Sequence, residues 1–232
     1  MCGIIGYIGT RRALPIVIDG LKRLEYRGYD SIGVLVYDQG TKETYLEKQP
    51  GRIQEFVKTA QLDSEGNLAI GHTRWATHGG VTKANAHPHG DCQKKIFVVH
   101  NGIIENFQEI KNSLIKKGHR FLSETDTEVV PHLIEEFIKE GLSYEEAVMQ
   151  SLKTIQGSFA LLIFNRDDPD QIIGARFSSP LVLGTNHEEF IFASDTTPIS
   201  FLTKDVIYLN DGDIAFVRRT GYHLRSFLTE KV

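Results

Sequence analysis

Apolar residues in this chain come in strand-length runs on both sides of one helical block, and that order restricts the fold more than any other feature. Runs at 3–9, 32–37, 43–47, 68–73 and 96–100 come first, with a hairpin expected across 38–40. Ala13, Leu14, Val17, Ile18, Leu21 and Leu24 recur at helical spacing, which predicts a helix over 11–24. A shorter helix is expected at 52–60. The central block, 104–155, reads as three helices. The first covers 104–117 and is closed by Gly118. The second follows Thr125 and Glu128, whose spacing matches a capping box. Pro131 within that pattern predicts a kink or a late start near Val130. The third covers 144–155. Strand-like runs then resume at 158–164, 171–176, 181–185, 190–194, 206–209, 213–217 and 221–225. Strands, then helices, then strands favour an α+β fold of antiparallel sheets over a doubly wound parallel sheet. Repeats and low-complexity segments are absent, so one domain is expected over 2–225, with a linker starting in 226–232.

Composition removes several classes. At 41% hydrophobic and 24% charged residues the chain is too apolar for disorder. A net charge of −4 argues against a nucleic-acid partner. No apolar run approaches the roughly 18 residues of a membrane span. The first residues lack the basic and apolar regions of a secretory signal, and the only cysteines are Cys2 and Cys92. A cytoplasmic protein without a disulfide framework is the expectation.

Three polar clusters carry the candidate chemistry. Met1 is followed by a small residue, the usual condition for its removal, which would make Cys2 the N-terminus. Its α-amine, with a reference pKa of about 7.7–8.0, is then a base matched to a thiol near about 8.5. The competing reading of Cys2 is a small buried hydrophobe. The second cluster is Gly71 to Gly79, where a strand feeds a loop holding Arg74, Trp75, Thr77 and His78. Arg74 suits a carboxylate through two parallel N–H bonds, or is a surface arginine. The third is His100-Asn101-Gly102 at a strand end, with Asp126 further on. The Asn101 amide and the Gly102 N–H suit an oxyanion hole; the plain alternative is an Asn-Gly turn. Asp126 suits an ammonium group, or serves as the negative end of a helix start.

His72, His78, His87, His89 and His100 crowd one stretch with Cys92 nearby, but their spacings match no zinc motif. No metal and no cofactor are therefore expected. The glycines Gly3, Gly6 and Gly9 do not have the spacing of a phosphate-binding loop.

Taken together, Cys2-Gly3-Ile4-Ile5-Gly6, LEYRGYDS at 24–31, GHTRWATHG at 71–79, NAHPH at 85–89, VVHNGIIEN at 98–106 and SETDTE at 123–128 resemble one family. It is the class II (type 2) glutamine amidotransferase, in the form of the glutaminase domain of glucosamine-6-phosphate synthases, the isomerizing glutamine–fructose-6-phosphate aminotransferases. SSPLVLG at 178–184, FASD at 192–195 and DGDIA at 211–215 fit it too. Ile32, where the family usually has Ala, and Pro131 depart from it.

The resemblance implies the four-layer αββα N-terminal-nucleophile hydrolase fold, two stacked, mostly antiparallel sheets between helical layers. It implies that Cys2 attacks the glutamine side-chain amide with its own α-amine as proton shuttle. Asn101 and the Gly102 N–H would then stabilise the oxyanion, and Arg74, with Thr77 and His78, would hold the substrate α-carboxylate. Asp126 would hold the α-amino group, Trp75 would line the ammonia exit, and Arg27 would support the N-terminal residue. Fructose 6-phosphate would be met only through isomerase domains that this sequence does not contain, and the isolated domain is expected to be monomeric or weakly associated. Two alternatives stand beside this reading: a glutaminase subunit serving another acceptor, and a silent glutamine-binding module if Met1 is retained.

Overall fold

The computed structural model describes residues 2–60, 63–186 and 188–228. Met1, whose removal the sequence leaves open, and the end of the expected linker, 229–232, lie outside the described residues. One sheet joins β1 (Gly3–Ile8), β2 (Ser31–Asp38), β3 (Glu43–Pro50) and β4 (Leu68–Arg74). The second contains β5 (His89–Gly90), β6 (Ile96–Ile104), β7 (Gly157–Asn165) and β8 (Gln171–Phe177). The chain then returns to the first sheet with β9 (Val182–Thr185), β10 (Phe190–Ala193) and β11 (Val206–Tyr208), and ends in the second with β12 (Asp213–Arg218) and β13 (Gly221–Ser226). The strand orders are β11-β9-β10-β1-β4-β2-β3 and β13-β12-β8-β7-β6-β5. Every ladder within the two sheets is antiparallel.

Helices α1 (Ala13–Leu24) and α2 (Ile53–Thr59) cover the outside of the first sheet. Helices α3 (Phe107–Lys116), α4 (Val129–Lys139) and α5 (Tyr144–Thr154) cover the outside of the second. The alternation of side chains along each strand divides the core accordingly. In β1, Ile4 and Ile8 point between the sheets, while Ile5 and Tyr7 pack under α1. In β7, Ala160, Leu162 and Phe164 point between the sheets, and Phe159, Leu161 and Ile163 point to the helices. Strands buried on both faces read as continuous apolar runs rather than as polar–apolar alternation. Truncating a side chain such as Leu162, fully buried between the sheets, costs about 2–5 kcal/mol. Among the described residues no helix is long and apolar enough to cross a membrane.

Three local expectations need correction. β6 does not stop at Asn101-Gly102 but runs on to Ile104, because β7 pairs with it through Gly102↔Phe159 and Ile104↔Gly157. Helix α3 accordingly starts at Phe107 and not at 104. Thr125 and Glu128 form no capping box: the Glu128 carboxylate accepts the N–H groups of Leu122 (2.7 Å) and Ser123 (2.6 Å). The late start near Val130 does occur, since α4 begins at Val129. Pro131 then lies in its first turn, where a missing N–H leaves no hydrogen bond unmade. The capping box lies instead at Ser143 and Glu146, which open α5.

Candidate active site

The antiparallel pairing of β1 with β4 sets Gly3 opposite Thr73, so Cys2 lies beside Arg74 and Trp75 where β4 ends. The second sheet stacks on this pair and brings Asn101 and Gly102 of β6 to the same corner. The Cys2 sulfur accepts the Trp75 N–H at 3.1 Å and lies 3.5 Å from the Trp75 carbonyl oxygen. Burial raises the thiol pKa, against the lowering influence of the Trp75 backbone and the Arg74 charge.

The Cys2 carbonyl is held from two sides. The Asn101 side-chain amide donates to it at 3.0 Å, and the Arg27 Nε–H at 3.3 Å. Arg27 is itself fixed by Asp195, 3.1 Å from its guanidinium, and Tyr26 donates to the same carboxylate.

The orientation of Asn101 follows from its neighbours. His72 Nε2 lies 2.9 Å from the His100 carbonyl and 3.1 Å from Asn101 Oδ1. Complete burial lowers the His72 pKa to about 3, so the ring is neutral, and two oxygen partners require Nε2 to carry the proton. The Asn101 oxygen therefore faces His72, and its NH₂ faces Cys2 and Ser194 Oγ, the latter at 2.9 Å. Ser194 also accepts the Ile4 N–H at 2.6 Å and so ties β10 to the start of β1. Gly102 has φ +135°, and a Cβ there would meet the Ser158 carbonyl oxygen at 2.0 Å. Both facts require glycine. At Gly28 a Cβ would lie 2.8 Å from the Arg74 carbonyl carbon, which explains the glycine beside the end of β4.

Arg74 is 3% exposed. Its guanidinium donates to the carbonyls of His78, Gly79 (3.2 Å) and Gly80 (3.1 Å), folding the 75–80 loop around it. Burial pulls its pKa down. The loop is closed by Asn85, whose amide reaches the Gly80 carbonyl (3.0 Å) and the Glu124 carboxylate (3.1 Å). Asp30 accepts the Ala76 N–H at 2.8 Å. The surface-arginine reading of Arg74 is thus excluded. Asp126 is also buried, with one carboxylate oxygen accepting the Ile104 N–H at 2.8 Å.

Two spaces meet at Cys2. A narrow recess is bounded by Cys2, Arg74, Trp75, Thr77, His78, Gly102 and Asp126. A wider cavity of about 320 Å³ opens past Cys2, Arg27, Trp75, Thr77, Asn101 and Gly102. All nine site residues expected from sequence border one space or both. Trp75 is 45% exposed at the mouth, edge-on to Tyr29.

Sequence reasoning did not assign roles to His72, Ser194, Asp30 and Asp195. The signal for Ser194 and Asp195 was the FASD string; for His72 it was the histidine adjoining the arginine loop. The other histidines of that stretch form no metal cluster among the described residues. His87 and His100 share the Thr127 hydroxyl (3.0 and 2.9 Å), and His89 meets Thr125 at 3.2 Å.

Comparison with known proteins shows the family and the fold. Residues 72–200 match the model of the glutamine amidotransferase domain. The chain belongs to the glutamine amidotransferase family. It is 47% identical to the isomerizing glutamine–fructose-6-phosphate aminotransferase of Pyrococcus horikoshii, over 100% of this chain and 39% of that protein. It is 50% identical to the enzyme of that name from Thermococcus kodakarensis, over 100% and 38%. The chain thus spans less than two-fifths of the length of these relatives and matches their glutamine amidotransferase part. Among solved structures, the glutamine phosphoribosylpyrophosphate amidotransferase of B. subtilis superposes with a TM-score of 0.86 at 25% identity, covering 100% of this chain and 50% of that one. A class-II glutamine aminotransferase domain protein from Silicibacter pomeroyi superposes with a TM-score of 0.67 at 19% identity, over 97% and 99%. The fold is the αββα N-terminal-nucleophile hydrolase fold expected from sequence.

Proposed function

We propose that this amidotransferase domain hydrolyses glutamine to glutamate and ammonia through a thioester on Cys2. The observation that carries the reading is the shared recess. A thiol, a buried guanidinium and a buried carboxylate face one small space, as a zwitterionic amino acid with a reactive side chain requires. Arg74, with Thr77 and His78, takes the α-carboxylate, and Asp126 takes the α-ammonium through the carboxylate oxygen not used on Ile104. The Cys2 sulfur attacks the side-chain carbonyl carbon, and the thiol proton passes to the α-amine that removal of Met1 frees. The Gly102 N–H stabilises the oxyanion, joined by the Asn101 amide when one of its two N–H bonds turns from Ser194 Oγ or the Cys2 carbonyl to the substrate. Collapse of that intermediate breaks the C–N bond, and the departing nitrogen takes the proton and leaves as ammonia past Trp75. Water then cleaves the thioester, giving glutamate and the free thiol. Arg27 keeps Cys2 in place.

In the longer relatives' arrangement the ammonia would serve fructose 6-phosphate on further domains, yielding glucosamine 6-phosphate. The free thiols of Cys2 and Cys92 suit the reducing cytoplasm. A monomer or weak associate is the proposed state of the isolated chain. The test is to supply glutamine and fructose 6-phosphate to the purified chain. Glutamate and free ammonia are expected in equal amounts, without glucosamine 6-phosphate. Tight glutamine binding without turnover, with Met1 still attached by intact mass, would instead support the silent binding module.

A further inference from the structure

On the outer face of the second sheet, away from the Cys2 recess, four side chains from three segments converge. Cys92 sits in the turn between β5 and β6, which Asp91 shapes by accepting the N–H groups of Lys95 (2.7 Å) and Ile96 (2.9 Å). His119 follows Gly118, whose φ of +95° ends the α3 segment. His132 and Glu135 stand three residues apart on one face of α4. Cys92 Sγ lies 3.6 Å from His132 Nδ1 and 3.7 Å from His119 Nδ1. The two Nδ1 atoms are 3.3 Å apart. Glu135 Oε2 is 3.1 Å from His119 Nδ1 and 3.5 Å from His132 Nδ1. All four ligand atoms lie within 4.8 Å of one another.

These separations are the edges of a metal tetrahedron. Zinc bonds of about 2.0–2.1 Å to nitrogen and about 2.3 Å to sulfur give N···N edges near 3.3–3.4 Å and N···S edges near 3.5–3.6 Å. The outer contacts agree. His119 Nε2 lies 2.9 Å from the Glu136 carboxylate, and His132 Nε2 lies 3.7 Å from Glu128. A proton on His119 Nε2, donated to Glu136, leaves its Nδ1 lone pair aimed inward, the arrangement of a carboxylate–histidine–zinc triad, while His132 Nε2 faces Glu128 without a hydrogen bond and turns its Nδ1 to the cluster. The Arg120 N–H points at Cys92 Sγ (3.4 Å), as a thiolate favours. Two imidazole nitrogens, a carboxylate oxygen and a sulfur then crowd one point, the imidazoles and the carboxylate buried and Cys92 exposed at its edge. A divalent cation resolves that crowding.

We propose that Cys92, His119, His132 and Glu135 bind one zinc ion in a closed structural site. Binding replaces the thiol proton, which leaves to solvent, and a thiolate plus a carboxylate balance the metal charge. A soft sulfur, two imidazoles and one carboxylate at tetrahedral spacing select zinc over magnesium or calcium. The ion would pin the β5–β6 turn and the α3–α4 connection to α4, and so hold the segment that carries Asp126. The proposal does not depend on glutamine hydrolysis, because its readouts are metal content, spectrum and melting temperature.

The test starts with the 232-residue chain stripped by a chelator and then reloaded with zinc or cobalt(II). One tightly held zinc per chain is expected by elemental analysis, and a lower Tm after stripping. Cobalt should give intense visible bands of a tetrahedral centre and a thiolate charge-transfer band. Cys92→Ser should remove that band and weaken binding on the order of 100-fold or more, while Glu136→Gln should weaken it roughly 10–100-fold. His87→Gln should keep the full metal content. Should Cys92→Ser fail to fold, the cobalt spectrum of the unaltered chain still reads the thiolate. Absence of stoichiometric zinc with no change in Tm would show a cluster joined by protons alone and overturn the proposal. A cobalt spectrum lacking the thiolate band, or loss of metal only in His87→Gln, would overturn it as well.

Discussion

The two cysteines of this chain sit in opposite surroundings. Cys92 is ringed by two imidazoles and a carboxylate, the company usually kept by an activated nucleophile. No imidazole or carboxylate hydrogen-bonds to Cys2: among the described residues its sulfur hydrogen-bonds only to the backbone of Trp75, although His78 and Asp126 border the same recess. Yet the substrate-like recess, with its buried cation and anion, lies at Cys2. A thiol without a hydrogen-bonded side-chain base in such a place draws its base from the substrate, from water or from its own α-amine. A thiol with too many bases, their lone pairs converging at metal-bond geometry, is a ligand. Counting histidines around a cysteine therefore misleads here; the direction of their lone pairs decides.

The largest expected effect separates the two sites outright. Cys2→Ala should abolish glutamine hydrolysis while leaving Tm and metal content unchanged, whereas Cys92→Ser should lower both of the latter. Loss of hydrolysis in proportion to lost stability in both variants would collapse the distinction. Next, Asn101→Ala should lower kcat by roughly 10²–10³-fold with a smaller change in KM, the usual cost of one oxyanion donor. Its second task, holding the Cys2 carbonyl, acts in the same direction. A raised KM with kcat intact would make Asn101 a ground-state binder.

Arg74→Ala and Asp126→Asn should each weaken glutamine binding by about 1–3 kcal/mol, since each leaves an opposite charge unpaired. Isothermal titration with glutamine and with its carboxamide, which lacks the α-carboxylate, checks the pairing. Arg74→Ala should erase the preference for glutamine over the carboxamide, and Asp126→Asn should keep it. The Arg74 variant also loses three loop hydrogen bonds, so its Tm should fall further than that of Asp126→Asn.

The smallest effect concerns the imidazoles behind the Cys2 corner. His72 is held to a pKa of about 3, and burial also lowers His87, His89 and His100. An unfolded histidine binds its proton near pH 6.5, so below that value the unfolded chain gains protons that these folded rings refuse. Stability is therefore full above about pH 6.5 and falls with acid, by about 1.4 kcal/mol per pH unit for each such histidine. Denaturant unfolding in a pH series checks this, and His72→Gln should flatten the slope. A slope unchanged by that substitution would mean that the ring protonates in place.

The site was more legible than the local structure around it. HTRWATHG, HNG and SETDTE marked their residues through the family resemblance, since residue types alone left Arg74 open to a surface role, Asn101-Gly102 to a turn and Asp126 to a helix start. Asn101-Gly102 looked like a turn because a dipeptide carries no record of a partner strand; Phe159, far along the chain, makes it strand. Thr125 and Glu128 looked like a cap because their spacing is right, but Glu128 is drawn back to the Leu122 and Ser123 amides. The Cys92 cluster had no legible spacing at all. Grouping by sequence set Cys92 among the histidines at 72–100, whereas the hairpin turn and the packing of α3 on α4 deliver His119 and His132 to it instead.

The most direct measurement uses a glutamine analogue whose side-chain amide is replaced by an electrophilic ketone, followed by intact mass and peptide mapping. The expected result is a single adduct on an N-terminal peptide that begins at Cys2, with Met1 gone and Cys92 unmodified. An adduct on Cys92, or turnover by a chain that still carries Met1, would contradict the account of Cys2 as a nucleophile served by its own α-amine.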